Sequence, residues 1–154
     1  GFEYILHGMN PERALLAAEA TGIGRVALKR AARYAGERIV FDRAIGKNQG
    51  IQHPLAERWV DLEAGTLLYR RAAWLYDQGR PCGAEANAAK FFCAEAGYRA
   101  AETAVLTHGG MGYAKEYHVE RYFREAMLPR IAPVSIQLIL SFIAEKVLEL
   151  PKSY

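Results

Sequence analysis

With 154 residues, half of them apolar, the chain can bury one sizeable core, and its length gives no reason to look for a second domain. The formal net charge is +3 and Lys and Arg are interleaved with Asp and Glu, which argues against a nucleic-acid-binding block while leaving arginines for a phosphate-bearing ligand. Two cysteines without C-x-x-C spacing read as free thiols in a reducing compartment, no signal-peptide pattern is visible, and the longest apolar run, Val134 to Ile143, is too short and interrupted to span a bilayer.

The chain opens at Gly1-Phe2-Glu3-Tyr4-Ile5 without an initiator Met, so we expect residues 1–154 to be one helical domain of a longer protein. Asn10-Pro11 pairs an N-cap residue with Pro at a first helical position, and Leu16, Ala20, Ile23, Ala27, Ala31 and Tyr34 follow at spacings of three and four. This predicts a helix from about Pro11 to about Arg38. The stretch from Ile39 to Gly50 is expected to be a loop, long enough to carry function.

A second helix is predicted from near His53-Pro54 to Asp77, with Ile51, Leu55, Trp59, Leu62, Thr66, Tyr69, Ala73 and Tyr76 on one stripe and Gly79 as the C′ residue. The third runs from about Gly83 to about Thr107, with Ala84, Ala88, Phe91, Ala94, Tyr98, Ala101 and Val105 inward. Its small residues would let a neighbouring helix pack closely. Gly109-Gly110-Met111-Gly112 then breaks the pattern. A shorter helix from about His118 to Met127 leads through Pro129 to a last one, about Pro133 to Leu150, with Ile139, Ile143, Val147 and Leu150 in register. No segment shows sustained period-two alternation, so the expected class is all-α, an up-and-down antiparallel four-helix bundle.

Chemistry must come from sites on that bundle. Of the four histidines, none has a metal-ligand or triad partner at useful spacing; His7 and His108 read as polar packing residues, and His53 and His118 as helix-terminal and solvated. Arg38-Ile39-Val40-Phe41 is followed after a loop by Gln49. Alone, Arg38 would be an ordinary cation at a helix C-terminus. Gly109 and Gly110 open a Gly-rich turn at a helix end, which alone would read as a C-cap. Arg124-Glu125-Ala126 precedes Pro133, Val134, Ser135 and Gln137, and Gly8-Met9-Asn10-Pro11-Glu12-Arg13 stands near the start.

In this order, those motifs resemble the acyl-CoA dehydrogenase family in its C-terminal domain, over essentially the whole chain. The resemblance implies an FAD-dependent enzyme acting on a CH–CH group, which oxidises an acyl-CoA to the trans-2-enoyl-CoA. Arg38, Phe41 and Gln49 match the pattern R-x-x-F-G…Q, whose Arg and aromatic contact the FAD pyrophosphate and adenine end across a subunit interface, with Asp42 in place of the usual Gly. Gly109 and Gly110 match the G-G-x-G turn, whose backbone N–H groups the resemblance places against a pyrophosphate with no side chain in the way, and Leu106 stands where many relatives carry a Gln. Ser135 and Gln137 match further FAD contacts, although Ser also suits an ordinary helix start.

Many relatives place a Glu-Gly pair, the catalytic base and its neighbour, where this chain has Pro133 and Val134. Proline also lacks the N–H that would help polarise the thioester carbonyl. A second class, resembling isovaleryl-CoA and long-chain acyl-CoA dehydrogenases, carries its base on the first helix in a segment G-L-x-x-E-R. Glu12 is then the candidate base, with Asn10, Arg13 and Val134 as substrate-binding candidates. A carboxylate in a first helical turn is common without any chemistry.

The resemblance further implies an electron-transferring flavoprotein as electron acceptor and a homodimer or homotetramer. It suggests a bacterial cytoplasm, or a mitochondrial matrix. Two alternatives stay open: a flavin oxidase or monooxygenase on the same fold, and a non-catalytic bundle that binds acyl-CoA or a partner protein.

Overall fold

The computed structural model describes residues 2–153 except for the side chains of Phe2, Glu3, Leu6 and His7, so the packing expected of His7 lies outside the described residues. Three long helices form the body. α1 (Phe2–Glu37) begins well before the Asn10-Pro11 start signal, and Pro11 lies inside it. A proline inside a helix removes one backbone hydrogen bond, and here the helix runs through that loss. α2 (Gln49–Asp77) likewise begins before His53-Pro54, behind the N-cap residue Asn48, so His53 is exposed within the helix rather than at its end. At its other end the expected Gly79 is present with φ 64°. Gly79 N–H donates to Tyr76 (2.9 Å) and Arg80 N–H to Leu75 (3.0 Å), the paired bonds of a Schellman cap.

α3 (Gly83–His108) matches its expected span and stops at Gly109, whose φ of 59° favours glycine. The fourth layer is broken. α4 (Val119–Glu125), α5 (Leu128–Ile131) and α6 (Ile136–Lys146) replace two longer predicted helices. α6 starts only after Ser135, whose Oγ accepts from Leu138 N–H at 3.4 Å, and ends at Lys146, which leaves Val147 and Leu150 exposed beyond it.

The stretch between α1 and α2 is not a plain loop. Ile39–Val40 (β1) and Arg43–Ala44 (β2) form an antiparallel hairpin, with Ile39 opposite Ala44 and Val40 opposite Arg43. Strands of two residues are too short to show an alternating pattern, which is why periodicity does not reveal them. The two turn residues, Phe41 (φ 51°) and Asp42 (φ 62°), both lie in the left-handed region, as the tightest hairpin turns require.

Consecutive long helices run antiparallel, so α1 and α3 run side by side in the same direction. Their seam is made of small residues. Ala17, Ala20, Ala27 and Ala31 of α1 and Ala94, Ala100, Ala101 and Ala104 of α3 are all buried. A Cβ placed on Gly97 would stand 2.3 Å from the Ala20 carbonyl oxygen, so the two backbones touch there.

α3 is buried around most of its circumference and not on one stripe, because α1, α2, α4 and α6 all pack on it. On α2 the buried residues are Leu62, Gly65, Thr66, Ala72 and Leu75, whereas Trp59 and Tyr76, expected on the inner stripe, are exposed. Among the described residues, no single helix is long and apolar enough to cross a membrane.

Candidate functional site

The candidate residues fall at two ends of the bundle. At the first, the N-terminal part of α1 carries Asn10, Glu12 and Arg13. Glu12 is exposed. Arg13 is half-buried, donates from Nη1 to Asn10 Oδ1 at 3.3 Å, and keeps its Nε buried without a hydrogen-bond partner. Burial holds the Arg13 guanidinium below its ordinary pKa, against the opposing pull of the Glu12 carboxylate. Asn10 also lines a cavity of about 240 Å³ with Tyr76, Gly79, Arg80, Pro81 and Cys82, where the α2–α3 connection passes the start of α1.

The loop before α6 reaches the same end. Lys90 of α3 is fully buried and donates from Nζ to the Val134 carbonyl at 2.8 Å, and the charge of Arg13 also acts on it. This buried ammonium is thus hydrogen-bonded to Val134, the neighbour of Pro133, and feels the charge of Arg13, the neighbour of Glu12. The loop is also clamped from its N-terminal side: Arg130 Nε donates to Glu95 Oε1 at 2.7 Å and its guanidinium lies 4.4 Å from the Tyr98 ring centre. Ser135 Oγ accepts the α6 cap bond, which leaves its O–H able to donate, and Gln137 is exposed within the first turn of α6.

At the second end stand Arg38, Phe41, Gln49, Leu106, Gly109 and Gly110. All six are exposed. Phe41, 94% exposed, sits at the hairpin tip with nothing of this chain covering it. A Cβ at Gly110 would meet no atom within 4 Å, so backbone is open there. The hairpin is held in place locally: Ile45 N–H donates to the Arg38 carbonyl at 2.9 Å, Arg43 donates to Asn48, and Gly46 packs on the last turn of α1 so closely that a Cβ would come 2.9 Å from the Ala35 oxygen.

Beside this end, His108 is buried, hydrogen-bonds to the Ala104 carbonyl at 2.7 Å, and stacks on Tyr34 at 4.2 Å between ring centres. That is the packing role expected of it. His118 is half-buried and precedes α4 with φ 61°. Both cysteines are free and buried, and among the described residues no group of three His, Cys, Asp or Glu could hold a metal ion.

At 1.5 Å per residue, Arg13 and Arg38 are about 37 Å apart along α1. That exceeds the length of an extended dinucleotide, so one such ligand on one chain does not reach both ends. Sequence reading found members of both ends but missed Lys90. The signal was there: Lys90 lies four residues from Ala86 and from Ala94, which places it on the inner face of α3.

Comparison with known proteins places this geometry. Residues 1–148 match the family model for the acyl-CoA dehydrogenase C-terminal domain. The acyl-CoA dehydrogenase fadE12 of Mycobacterium bovis is 45% identical over 153 residues, which is 98% of this chain and 39% of that protein. Among solved structures, butyryl-CoA dehydrogenase from Megasphaera elsdenii superposes with a TM-score of 0.94 at 30% identity, over 96% of this chain and 39% of that one. Glutaryl-CoA dehydrogenase in its glutaryl-CoA complex gives 0.93 at 31% identity, over 99% and 39%. The chain thus spans about two fifths of the length of these relatives.

Proposed function

The chain belongs to the acyl-CoA dehydrogenase family, in its C-terminal domain, and from that membership we propose that it is the helical domain of an FAD-dependent enzyme oxidising an acyl-CoA to the trans-2-enoyl-CoA. In this reading residues 1–154 form one domain of a protein whose other parts complete the flavin and substrate sites. The observation that carries it is the Lys90–Val134 hydrogen bond, which ties the Pro133–Val134 loop to α3 at a lysine that also feels the charge of Arg13. Where the loop offers no carboxylate, the neighbouring helix supplies one.

Glu12 takes the α-proton of the thioester, because an exposed carboxylate on either segment can reach the same proton. Arg13, with its unpartnered Nε, and Asn10 hold the coenzyme A portion. Val134 lies beside them. The chemistry supplied by the bound flavin is acceptance of the β-hydrogen as hydride.

What supports FAD at the far end is the fit of its donors: an exposed Arg38 for a pyrophosphate, an uncovered Phe41 ring for a flat heterocycle, and open backbone at Gly109 and Gly110. Gln49 and Leu106 flank that surface, and Ser135 and Gln137 meet the flavin at the Glu12 end. Because one dinucleotide does not span both ends, each flavin lies between two chains, and we assign a homodimer or a pair of homodimers. An electron-transferring flavoprotein is the assigned acceptor. Two of the relatives named above come from the bacteria Mycobacterium bovis and Megasphaera elsdenii, and a bacterial cytoplasm is the assigned compartment.

The test is anaerobic titration of the full-length, FAD-loaded protein with a panel of acyl-CoAs, for wild type and Glu12→Gln. Bleaching of the visible flavin band in wild type, slowed by about 10³-fold or more in Glu12→Gln, is the expected result for loss of a general base. A fully active Glu12→Gln removes Glu12 from the role. Binding without bleaching would instead make the protein a non-catalytic acyl-CoA binder.

A further inference from the structure

Lys90 is fully buried near one end of the helical bundle, an unusual place for an ammonium, which loses its hydration there unless partners replace it. The partners are few. Nζ donates to the Val134 carbonyl, and among the described residues no carboxylate lies within ion-pairing distance of it. Its electrostatic neighbour is a second cation, Arg13; burial first, and then that charge, hold the Lys90 ammonium below its ordinary pKa. A methionine would fill the same volume without that penalty. Stability of the core is therefore a poor reason for a lysine at this position.

Its hydrogen bond suggests a better one. The loop from Ala132 to Ser135 joins α5 to α6, and Val134 is the residue of that loop whose carbonyl is drawn in against α3. A peptide unit is planar and trans, so C=O and N–H point in opposite directions. With the Val134 carbonyl held inward, the N–H of Ser135 faces out of the bundle, two residues after a proline that has none.

We infer that Lys90 is a positioning residue for the catalytic end: by fixing the Val134 carbonyl it holds the Ala132–Ser135 loop against α3, with the Ser135 N–H turned toward a carbonyl or anionic oxygen of the ligand. This rests on the dehydrogenase reading for what the ligand is, but not for the holding of the loop. Lys90 touches neither substrate nor flavin, so its removal changes the rate at which bound thioester reacts and leaves thioester binding in place.

The experiment compares wild type with Lys90→Met in the full-length, FAD-loaded protein. Three quantities are measured: the rate of anaerobic flavin bleaching by saturating acyl-CoA, the dissociation constant of the same thioester, and hydrogen–deuterium exchange of the backbone. The expected result is bleaching slower by about 10²-fold, the scale of a misplaced reacting group, with thioester affinity within about three-fold of wild type. Faster exchange is expected over residues 138–142, the first hydrogen-bonded amides of α6, and unchanged exchange over residues 14–35 and 62–77.

Bleaching within about three-fold of wild type would overturn the positioning role and leave the dehydrogenase reading intact. If no thioester bleaches wild type, that reading fails, and exchange alone decides for Lys90: unchanged protection of residues 138–142 in Lys90→Met would overturn the inference, and lost protection would support it. Should Lys90→Met not fold, Lys90→Gln, which removes the charge and shortens the donor, is judged on the same three measurements.

Discussion

Replacing Gly97 with alanine tests whether α1 and α3 touch backbone to backbone. The added Cβ would stand 2.3 Å from the Ala20 carbonyl oxygen and 2.9 Å from its carbon. Neither atom belongs to a side chain that can rotate away. The helices must separate, and separation opens the alanine seam on both sides of the contact, where Ala17, Ala94 and Ala101 are each 1% exposed or less. Overpacking of a filled core costs about 1–3 kcal/mol, and a backbone obstacle puts this change near the top, about 3 kcal/mol. For a chain of this length that is a fall in Tm of roughly 6–12 °C.

Gly22 provides the control. It lies in α1 close to Ala20, is exposed, and a Cβ added there would have no heavy atom of another segment within 4 Å. There the same Gly→Ala change should stabilise by about 0.5–1 kcal/mol through helix propensity alone. Urea and thermal unfolding of both variants of the 154-residue chain give the two numbers. A Gly97→Ala variant within about 0.5 kcal/mol of wild type would refute the close-contact seam, as would two variants shifting in the same direction.

Asp42→Gly relieves a left-handed backbone (φ 62°) at an exposed hairpin turn and should raise stability by about 0.5–1 kcal/mol, measured by urea unfolding. His108 gives a pH dependence. Burial holds its imidazole below the usual 6.5, outweighing its hydrogen bond to Ala104, and Arg30 acts in the same direction as burial. A base with a depressed folded pKa takes its proton more readily when unfolded. Stability is thus complete above about 6.5 and falls as pH drops through that value toward the folded one. The urea midpoint should be lower at about pH 5.5 than at about pH 7.5, with a smaller difference in His108→Gln. Cys93, buried and pushed up to about 11, and Cys82, also raised by burial, should both resist a neutral disulfide reagent until the chain is denatured.

Periodicity revealed the three long helices because each holds its apolar pattern over many turns. It was weakest at their edges. Pro11 and Pro54 read as start signals, yet both lie inside helices, since a proline marks a start only when the residues before it leave the helix. On α3 a single stripe was expected, but a helix wrapped by four neighbours has no polar face from which to measure one. That is also why Lys90 escaped notice: a lone lysine amid alanines reads as the solvent side of a helix unless the opposite side is known to be covered. Glu12, Arg13, Arg38 and Gly109 were recognisable as site candidates by motif. Their division between two ends follows from helix length, which no short motif carries.

The distance between those ends bears on how damage combines. If each flavin is held by the Glu12 end of one chain and the Arg38 end of its partner, lesions at opposite ends sort unequally in a mixed dimer. Pairing a Glu12→Gln chain with an Arg38→Ala chain puts both defects in one active site and leaves the other with an intact base and an intact pyrophosphate contact. Two inactive proteins, refolded together, would then recover activity that neither shows alone.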